Sequence, residues 1–314
     1  MRLSVDLGDR SYPVVLEAGG LEGIGLAVRD VLEAPPRAII VSNDRVWPLY
    51  GPVVEASLSD AGIQTDCIVL PDGEASKGMD GWAGLTDALL RCGVDRSTPV
   101  LGLGGGVIGD LAGFAAATVM RGLPYVQVPT TLLAMVDSSV GGKTGINTAH
   151  GKNLIGAFHQ PRLVFASMGT LATLDPEEFR SGLGEVVKHG LIGDQALFDI
   201  CADRADAIAA CEPEVVGELV RRSVLLKARV VAEDERELGL RAVLNLGHTV
   251  GHAIETTLMG TDAAMPHGLC VAIGCLAEVR WAEARGDCAA GTSKELERVI
   301  QGLGLPQVPP ALDV

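Results

Sequence analysis

Between residues 241 and 268 the chain sets Arg241, Asn245, His248 and His252 ahead of Pro266-His267-Gly268, so half of its six histidines fall in one window. A separate segment, Gly184-Glu185-Val186-Val187-Lys188, offers a carboxylate beside an ammonium. Imidazole nitrogens with one carboxylate oxygen are the donor set of an open catalytic zinc site, which keeps a coordination position for substrate. These residue types predict metal-assisted chemistry on a small polar molecule. Spacing alone pairs His248 with His252, four apart and therefore on one helical face. An isolated pair of that kind usually decorates a helix, and it is the company of Glu185, Lys188, Lys227, Arg241 and His267 that predicts a divalent metal beside an anion-binding pocket.

Lysine is placed selectively. Only six of the 25 basic residues are lysine, and Lys77, Lys143, Lys152, Lys188 and Lys227 all stand in Gly-rich or His/Glu-bearing motifs. A chain that otherwise prefers arginine keeps lysine where a compact point charge is needed. Gly104, Gly106 and Gly109 satisfy a GxGxxG pattern directly after the apolar run Val100–Leu103 and before a small-residue helix over Leu111–Val119. In that context glycine brings backbone amides close to a pyrophosphate, and the helix N-terminus adds partial positive charge. Pro71-Asp72-Gly73-Glu74-Ala75-Ser76-Lys77 follows a strand, where it could meet a nucleotide ribose. Pro129-Thr130-Thr131, the stretch Asp137–Gly145 and Gly151-Lys152-Asn153 read as further loops offering hydroxyls, amides and cations.

Those groups need a scaffold. With 314 residues and 47% hydrophobic content, the chain has room for two ordinary domains and a sizeable core. Short apolar runs at Ala38–Ser42, Cys67–Leu70, Pro99–Leu103 and Tyr125–Val128 alternate with helical patterns at Val53–Ala61 and Gly81–Cys92, as in a parallel α/β sheet. Leu3–Leu7 and Tyr12–Leu16 read as a hairpin through Gly8-Asp9 at a sheet edge. Beyond about Leu171 strand signals vanish. Asp175-Pro176 starts a helix, with Asp as cap and Pro in the first turn, and amphipathic helices are predicted over Pro213–Glu237, Gly247–Met259, His267–Arg285 and Thr292–Leu303. The expected organisation is thus an α/β domain over residues 1–170, with a mostly parallel sheet that binds dinucleotide, followed by an all-α domain over 171–314 that binds metal and substrate, the two packed directly around a cleft.

The net charge of −15 argues against nucleic acid or an anionic membrane as partner, since both are held by clustered Lys and Arg. The opening Met1-Arg2-Leu3-Ser4-Val5-Asp6 lacks the apolar core of a secretory signal, and no apolar run reaches membrane-spanning length, so a cytoplasmic protein is expected. Seven scattered cysteines without a CxxC pair suit reduced core thiols.

Taken in order, GGGVIGDLAGFAAATVMRG, VPTTLLAMVDSSVGGKTGIN, GKNLIGAFHQP, GEVVKHG, GLRAVLNLGHTVGHAIE and PHG closely resemble the 3-dehydroquinate synthases of the sugar phosphate cyclase superfamily, from the PDGEASK loop onward. The resemblance implies a homodimeric lyase of the shikimate pathway that uses NAD and one zinc or cobalt ion. It assigns the metal to Glu185, His248 and His267, and so replaces the His248–His252 pairing suggested by spacing. His252 moves to the substrate phosphate, with Asn153, Lys188, Asn245 and Arg121 of the neighbouring subunit. Lys143 and Arg241 would hold the substrate carboxylate, and Asp137 and Lys227 its hydroxyls. Asn43, Glu74, Lys77, Gly104, Gly105, Gly106, Asp110, Thr130, Thr131, Lys152, Thr170, Leu171 and Thr173 would form the NAD site.

The implied reaction converts 3-deoxy-arabino-heptulosonate 7-phosphate to 3-dehydroquinate and phosphate. Hydride passes to NAD, the resulting ketone permits β-elimination of phosphate, the hydride returns, and the opened ring closes by aldol addition, without net oxidation. Members of the family generally continue past the equivalent of Leu312-Asp313-Val314 with a lysine-bearing segment that reaches the active site, so the expectation is either that the sequence as given is truncated or that the protein lacks one phosphate contact. Competing readings are aminodehydroquinate synthase, a sedoheptulose 7-phosphate cyclase, a metal-dependent polyol dehydrogenase and a catalytically degenerate NAD-binding protein. Arg241, Asn245 and His252 favour the dehydroquinate type over the sedoheptulose cyclases, whose substrate has no carboxylate.

Overall fold

Strand β3 (Arg37–Asn43) shows how the first half is built. It is buried from Ala38 onward, and its side chains alternate between two cores. Ile39 and Val41 pack with Leu85, Leu111, Phe114 and Tyr125, whereas Ala38 and Ile40 pack with Ile24, Val54, Leu58 and Leu163. A strand covered on both faces has to be apolar throughout, the pattern of a parallel sheet with helices on both sides.

The computed structural model describes residues 1–311. The chain divides into two compact units with the break between Ala172 and Thr173. The boundary expected at residue 170 falls inside the 3-10 turn Met168–Thr173, which spans that break.

In that first unit, β1 (Arg2–Val5), β2 (Tyr12–Glu17), β3, β4 (Gln64–Leu70), β5 (Val100–Gly104), β6 (Tyr125–Pro129) and β9 (Leu163–Ser167) form a seven-stranded sheet in the order β1-β2-β9-β6-β5-β3-β4. Every neighbouring pair is parallel except β1–β2. The edge hairpin is present, turned by a 3-10 element at Gly8–Arg10. Across β4-β3-β5-β6-β9 the chain visits the strands in the order 2-1-3-4-5, the flavodoxin-like doubly wound arrangement. Its switch point lies between β3 and β5.

Helices α1 (Ile24–Val31), α2 (Trp47–Asp60), α3 (Met79–Arg91) and α4 (Gly106–Thr118) cover the sheet. The second starts six residues before the expected Val53. Pro48 sits in its first turn, where a missing N–H costs nothing, and Pro52 inside the helix hid that start in the sequence pattern. Helix α4 is nearly all small and apolar and is buried on most sides. Its Gly113 permits contact with Thr144 and Tyr125, which a Cβ would approach to 2.5 and 3.0 Å.

Two expectations are corrected here. The stretch Asp137–Gly145 and Gly151-Lys152-Asn153 are not simple loops. After a π-helical turn at Ala134–Ser138, strands β7 (Lys143–Thr148) and β8 (Gly151–Phe158) form an antiparallel pair. Glycines and hydroxyls disguised it, because Gly145 and Gly156 face each other so closely that a Cβ on Gly156 would lie 2.1 Å from the Thr144 carbonyl oxygen. The cysteines are only partly a core set. Cys201, Cys270 and Cys275 are buried, but Cys67 and Cys211 are exposed, Cys67 because β4 is an edge strand.

The second unit is helical, with no strand among its described residues. It contains α5 (Pro176–Gly193), α6 (Gln195–Asp203), α7 (Ala205–Ala209), α8 (Pro213–Glu233), α9 (His248–Leu258), α10 (His267–Arg285) and α11 (Thr292–Gly302). Asp175 caps α5 by accepting the Glu177 N–H at 2.8 Å. Helix α8 ends at Glu233 rather than Glu237, because Asp234 turns its carboxylate to the amides of Leu238, Gly239 and Arg241. Helices α5 and α10 approach with almost no side chain between them. A Cβ on Gly184 would lie 2.0 Å from the Gly268 carbonyl oxygen, and one on Gly268 would lie 1.9 Å from that of Ser181. No helix among the described residues is long and apolar enough to cross a membrane, and the segment expected to follow Leu312-Asp313-Val314 lies outside the described residues.

Candidate active site

The close approach of α5 and α10 has a chemical consequence in the second unit, because each glycine is followed or preceded by a candidate ligand. Glu185 follows Gly184 and is fully buried; His267 precedes Gly268. Glu185 Oε1 lies 3.6 Å from His267 Nε2 and 3.7 Å from His248 Nε2. Two ligands each about 2.0–2.1 Å from zinc stand about 3.4 Å apart at a tetrahedral angle. The Glu185 oxygen therefore already stands near each of the two nitrogens at about the separation that ligands of one divalent metal hold.

His248 reaches this point through Gly247, which has φ +79°. A side chain there would be strained in conformation and would also meet Cys275 Sγ at 2.6 Å and the Val271 carbonyl oxygen at 2.8 Å. The Gly247 N–H donates to Glu278 Oε2 at 2.8 Å, which ties the start of α9 to α10. Each imidazole has a partner for its other nitrogen. His248 Nδ1 is 3.3 Å from the Leu246 carbonyl oxygen, and His267 Nδ1 is 3.0 Å from Glu255 Oε2. Both arrangements favour a proton on Nδ1 and turn Nε2 toward Glu185.

The electrostatics are those of a compact mixed-charge cluster. Lys188 forms an ion pair with Glu185, both side chains being essentially buried. Burial works against a charged His267, but hydrogen bonds to Glu185 and Glu255, and their charges, outweigh it and hold the imidazole up at about 10. For His248, burial and the positive charges of Lys188 and His267 prevail over Glu185 and move it below its ordinary value. A divalent metal held at these nitrogens would have to displace the Nε2 proton of His267.

His252 is not remote from this cluster. Its ring centroid is 5.1 Å from that of His248 and 5.5 Å from that of His267. The three histidines offer ring nitrogens within 4.8 Å of one another, so the pairing read from spacing and the set implied by resemblance share one locus. Arg241 and Lys227 are buried cations of the same unit, 1% and 5% exposed. Arg241 Nη1 donates to the Glu235 carbonyl oxygen at 2.5 Å, and Asn245 Nδ2 donates to Glu237 Oε1 at 2.9 Å. Asp234 organises this turn, and the amides of Arg241, Leu238 and Gly239 hold its carboxyl below the usual range.

In the first unit, the candidate dinucleotide residues gather at the carboxyl ends of the strands flanking the switch point. Asn43 ends β3, Gly104 ends β5, and Gly105-Gly106 opens α4. Thr130, directly after β6, donates its N–H to the Gly104 carbonyl oxygen at 3.0 Å. A Cβ on Gly105 would come within 3.0 Å of Thr131 Cγ2, so the turn is a bare-backbone cradle beside a helix N-terminus, suited to a pyrophosphate. Lys77 Nζ is 2.6 Å from Asp110 Oδ2, and burial raises that carboxyl despite the ammonium. Glu74 Oε1 accepts from Asn147 at 2.7 Å, and Asn43 Nδ2 donates to Asp72 at 2.6 Å. Lys152 is half-buried on β8, Thr170 and Leu171 are buried, and Thr173 falls at the start of the second unit.

Of the remaining candidates in the first unit, Asp137 is half-buried in the π-helical turn, and Lys143 is exposed at the start of β7. Arg121 and Asn153 have φ values of +67° and +56°, uncommon for residues with a side chain. Such backbone conformations concentrate at functional positions. Glu255, Asp234 and Glu278 were not identified from sequence. Glu255 carried a legible signal, since His248, His252 and Glu255 follow an i, i+4, i+7 pattern on one helix face. Asp234 was hidden by placing the end of α8 too late.

Comparison with known proteins identifies the family. The family models for the 3-dehydroquinate synthase N-terminal and C-terminal regions match residues 67–181 and 182–314. The chain is 46% identical to the 3-dehydroquinate synthase of Pelobacter propionicus over 313 residues, 99% of this chain and 86% of that one. It is 48% identical to that of Citrifermentans bemidjiense over 305 residues, 97% of this chain and 83% of that one. Among solved structures, a 2-epi-5-epi-valiolone synthase of Streptomyces hygroscopicus subsp. jinggangensis with NAD+ and Zn2+ bound superposes with a TM-score of 0.87 at 32% identity, covering 99% of this chain and 85% of that one.

Proposed function

The chain belongs to the 3-dehydroquinate synthase family, and we propose from this membership and its site that it is an NAD- and metal-dependent phosphate-eliminating cyclase, a lyase acting on 3-deoxy-arabino-heptulosonate 7-phosphate. The observation that carries the reading is the convergence of His248 and His267 Nε2 on the buried Glu185 carboxylate, in a chain 46% and 48% identical to two such synthases. Glu185, His248 and His267 would hold zinc or cobalt, and the Gly104–Gly106 turn with Asn43, Lys77, Asp110, Thr130 and Lys152 would hold NAD. When bound, the metal supplies Lewis-acid polarisation of a substrate hydroxyl and NAD supplies a reversible hydride acceptor.

The protein's own groups bind and orient. Arg241 and Lys143 match a carboxylate, one by a planar fork and the other by a point charge. Lys188, Asn153, Asn245 and His252, with Arg121 of a neighbouring subunit, are assigned to the phosphate. Asp137 and Lys227 are assigned to hydroxyls. Fixed cations around one dianionic group lower the cost of phosphate departure without reorganisation at the moment of reaction. A cytoplasmic homodimer working in the shikimate pathway completes the proposal.

Substrate comparison tests it. Parallel assays with 3-deoxy-arabino-heptulosonate 7-phosphate, its amino analogue and sedoheptulose 7-phosphate should give phosphate release with the first alone, and no accumulation of NADH. Preferred turnover of the amino analogue or of the carboxylate-free sugar would reassign the substrate. Stoichiometric NADH without phosphate release would make the protein a polyol dehydrogenase.

A further inference from the structure

Two imidazoles face Glu185 in the same way, but their other nitrogens are held by different chemistry. His248 Nδ1 meets the carbonyl oxygen of Leu246, a neutral backbone acceptor that no substitution removes. His267 Nδ1 meets Glu255 Oε2 at 3.0 Å, an ionisable carboxylate on the facing helix α9. Glu255 is seven residues beyond His248 on that helix, so both project from the same face. Its side chain is 13% exposed and that of His267 is 29% exposed, which leaves their interaction only partly screened by water.

We propose that Glu255 is a positioning residue for the metal site: it fixes the tautomer and ring orientation of His267 and raises the donor strength of Nε2 toward a divalent cation. The inference rests on the reading that Glu185, His248 and His267 hold the metal. A proton kept on Nδ1 by the carboxylate makes Nε2, the nitrogen 3.6 Å from Glu185 Oε1, the one that gives up its proton and offers its lone pair to a metal. Glu255 also supplies a second negative charge. Against the two positive charges of the metal and the one of Lys188, Glu185 alone leaves a strongly positive cluster, and Glu255 reduces it. Carboxylates in this position typically account for a 10- to 100-fold difference in metal affinity.

The test is zinc affinity by chelator competition, together with the visible absorption of the cobalt-loaded protein, for wild type, Glu255→Ala, Glu255→Gln and His248→Ala. Glu255→Ala should bind zinc about 10- to 100-fold more weakly and show an altered cobalt spectrum, since the ring it releases is itself a ligand. Glu255→Gln keeps an acceptor for Nδ1–H but loses the charge, so its affinity should fall less and its cobalt spectrum should stay that of wild type. A merely structural role would move the Tm of the metal-free protein and leave the cobalt spectrum alone. The proposal is overturned if Glu255→Ala binds zinc within about twofold of wild type with an unchanged spectrum. If Glu255→Ala fails to fold, the near-isosteric Gln variant decides, and affinity equal to wild type overturns the proposal. Failure of the ligand assignment itself would look different, because His248→Ala would then bind zinc as tightly as wild type.

Discussion

Gly184→Ala tests whether helix packing, rather than ligand identity alone, builds the proposed metal site. The added Cβ would lie 2.0 Å from the Gly268 carbonyl oxygen, about 1.5 Å short of an ordinary separation of about 3.5 Å. Backbone cannot rotate away as a side chain can, so α5 and α10 must separate. Glu185 and His267 are the chain neighbours of the two glycines and must move with them. Metal–ligand distances tolerate only about 0.2 Å, so the metal either binds with a ligand missing or forces the helices back together. Overpacking of this kind costs about 1–3 kcal/mol; if metal binding has to restore the contact, affinity falls about 5- to 150-fold. Ala gains up to about 1 kcal/mol over Gly in a helix interior, which partly offsets the strain in stability but not in metal geometry. Zinc competition and thermal unfolding should be measured together, with Gly217→Ala in α8 as the control, since a Cβ there meets nothing within 4 Å. The control should keep wild-type zinc affinity and gain stability. If Gly184→Ala also binds zinc as wild type does, the glycine contact does not set the ligand positions and the reasoning is wrong.

His248→Ala should abolish stoichiometric zinc while leaving the circular dichroism spectrum intact, because this half-buried side chain is not core; retention of one equivalent of zinc by elemental analysis would remove it from the ligand set. Glu185→Ala is the poorer probe, since Glu185 is fully buried against Lys188 and its removal leaves an uncompensated cation, a cost of about 3–5 kcal/mol. Lys143→Ala should raise KM for the carboxylate-bearing substrate at least tenfold with zinc content unchanged, and an unaltered KM in steady-state assays would reject its role. Glu283 accepts the Gly291 and Ser293 N–H groups at the start of α11, first the Gly291 amide and then the Ser293 contacts holding its carboxyl down at about 2, below the ordinary 4.5. A depressed carboxyl stabilises the fold above its unfolded value and loses that effect as pH falls. The Tm gap between wild type and Glu283→Gln should therefore be full at pH 7 and close between about 4.5 and 2. A gap independent of pH would refute the capping role.

The alternation of apolar runs made the parallel sheet legible, and Gly104-x-Gly106 after Val100–Leu103 pointed to the turn that now lies at the β3/β5 switch point. What sequence reading could not supply was strand order, since neighbours such as β6 and β9 are 33 residues and a β-hairpin apart. The pair β7–β8 was missed because Gly145 and Gly156 are there for close strand contact, and in sequence they look like loop glycines. At the proposed metal site the residue types were visible, but the approach of Glu185 to His267 depends on two glycines 84 positions apart in different helices. No local pattern encodes that. Glu255 illustrates the intermediate case, on the correct face of a predicted helix yet with no meaning until His267 was seen beside it.

The most direct measurement is phosphate release and 3-dehydroquinate formation from 3-deoxy-arabino-heptulosonate 7-phosphate, with NAD and zinc supplied together and then each withheld after chelation and gel filtration. Turnover that requires both, restored by adding either missing component back and without net NADH, is the predicted result. Undiminished turnover after complete removal of the metal, or none at all when both are demonstrably bound, would contradict the account.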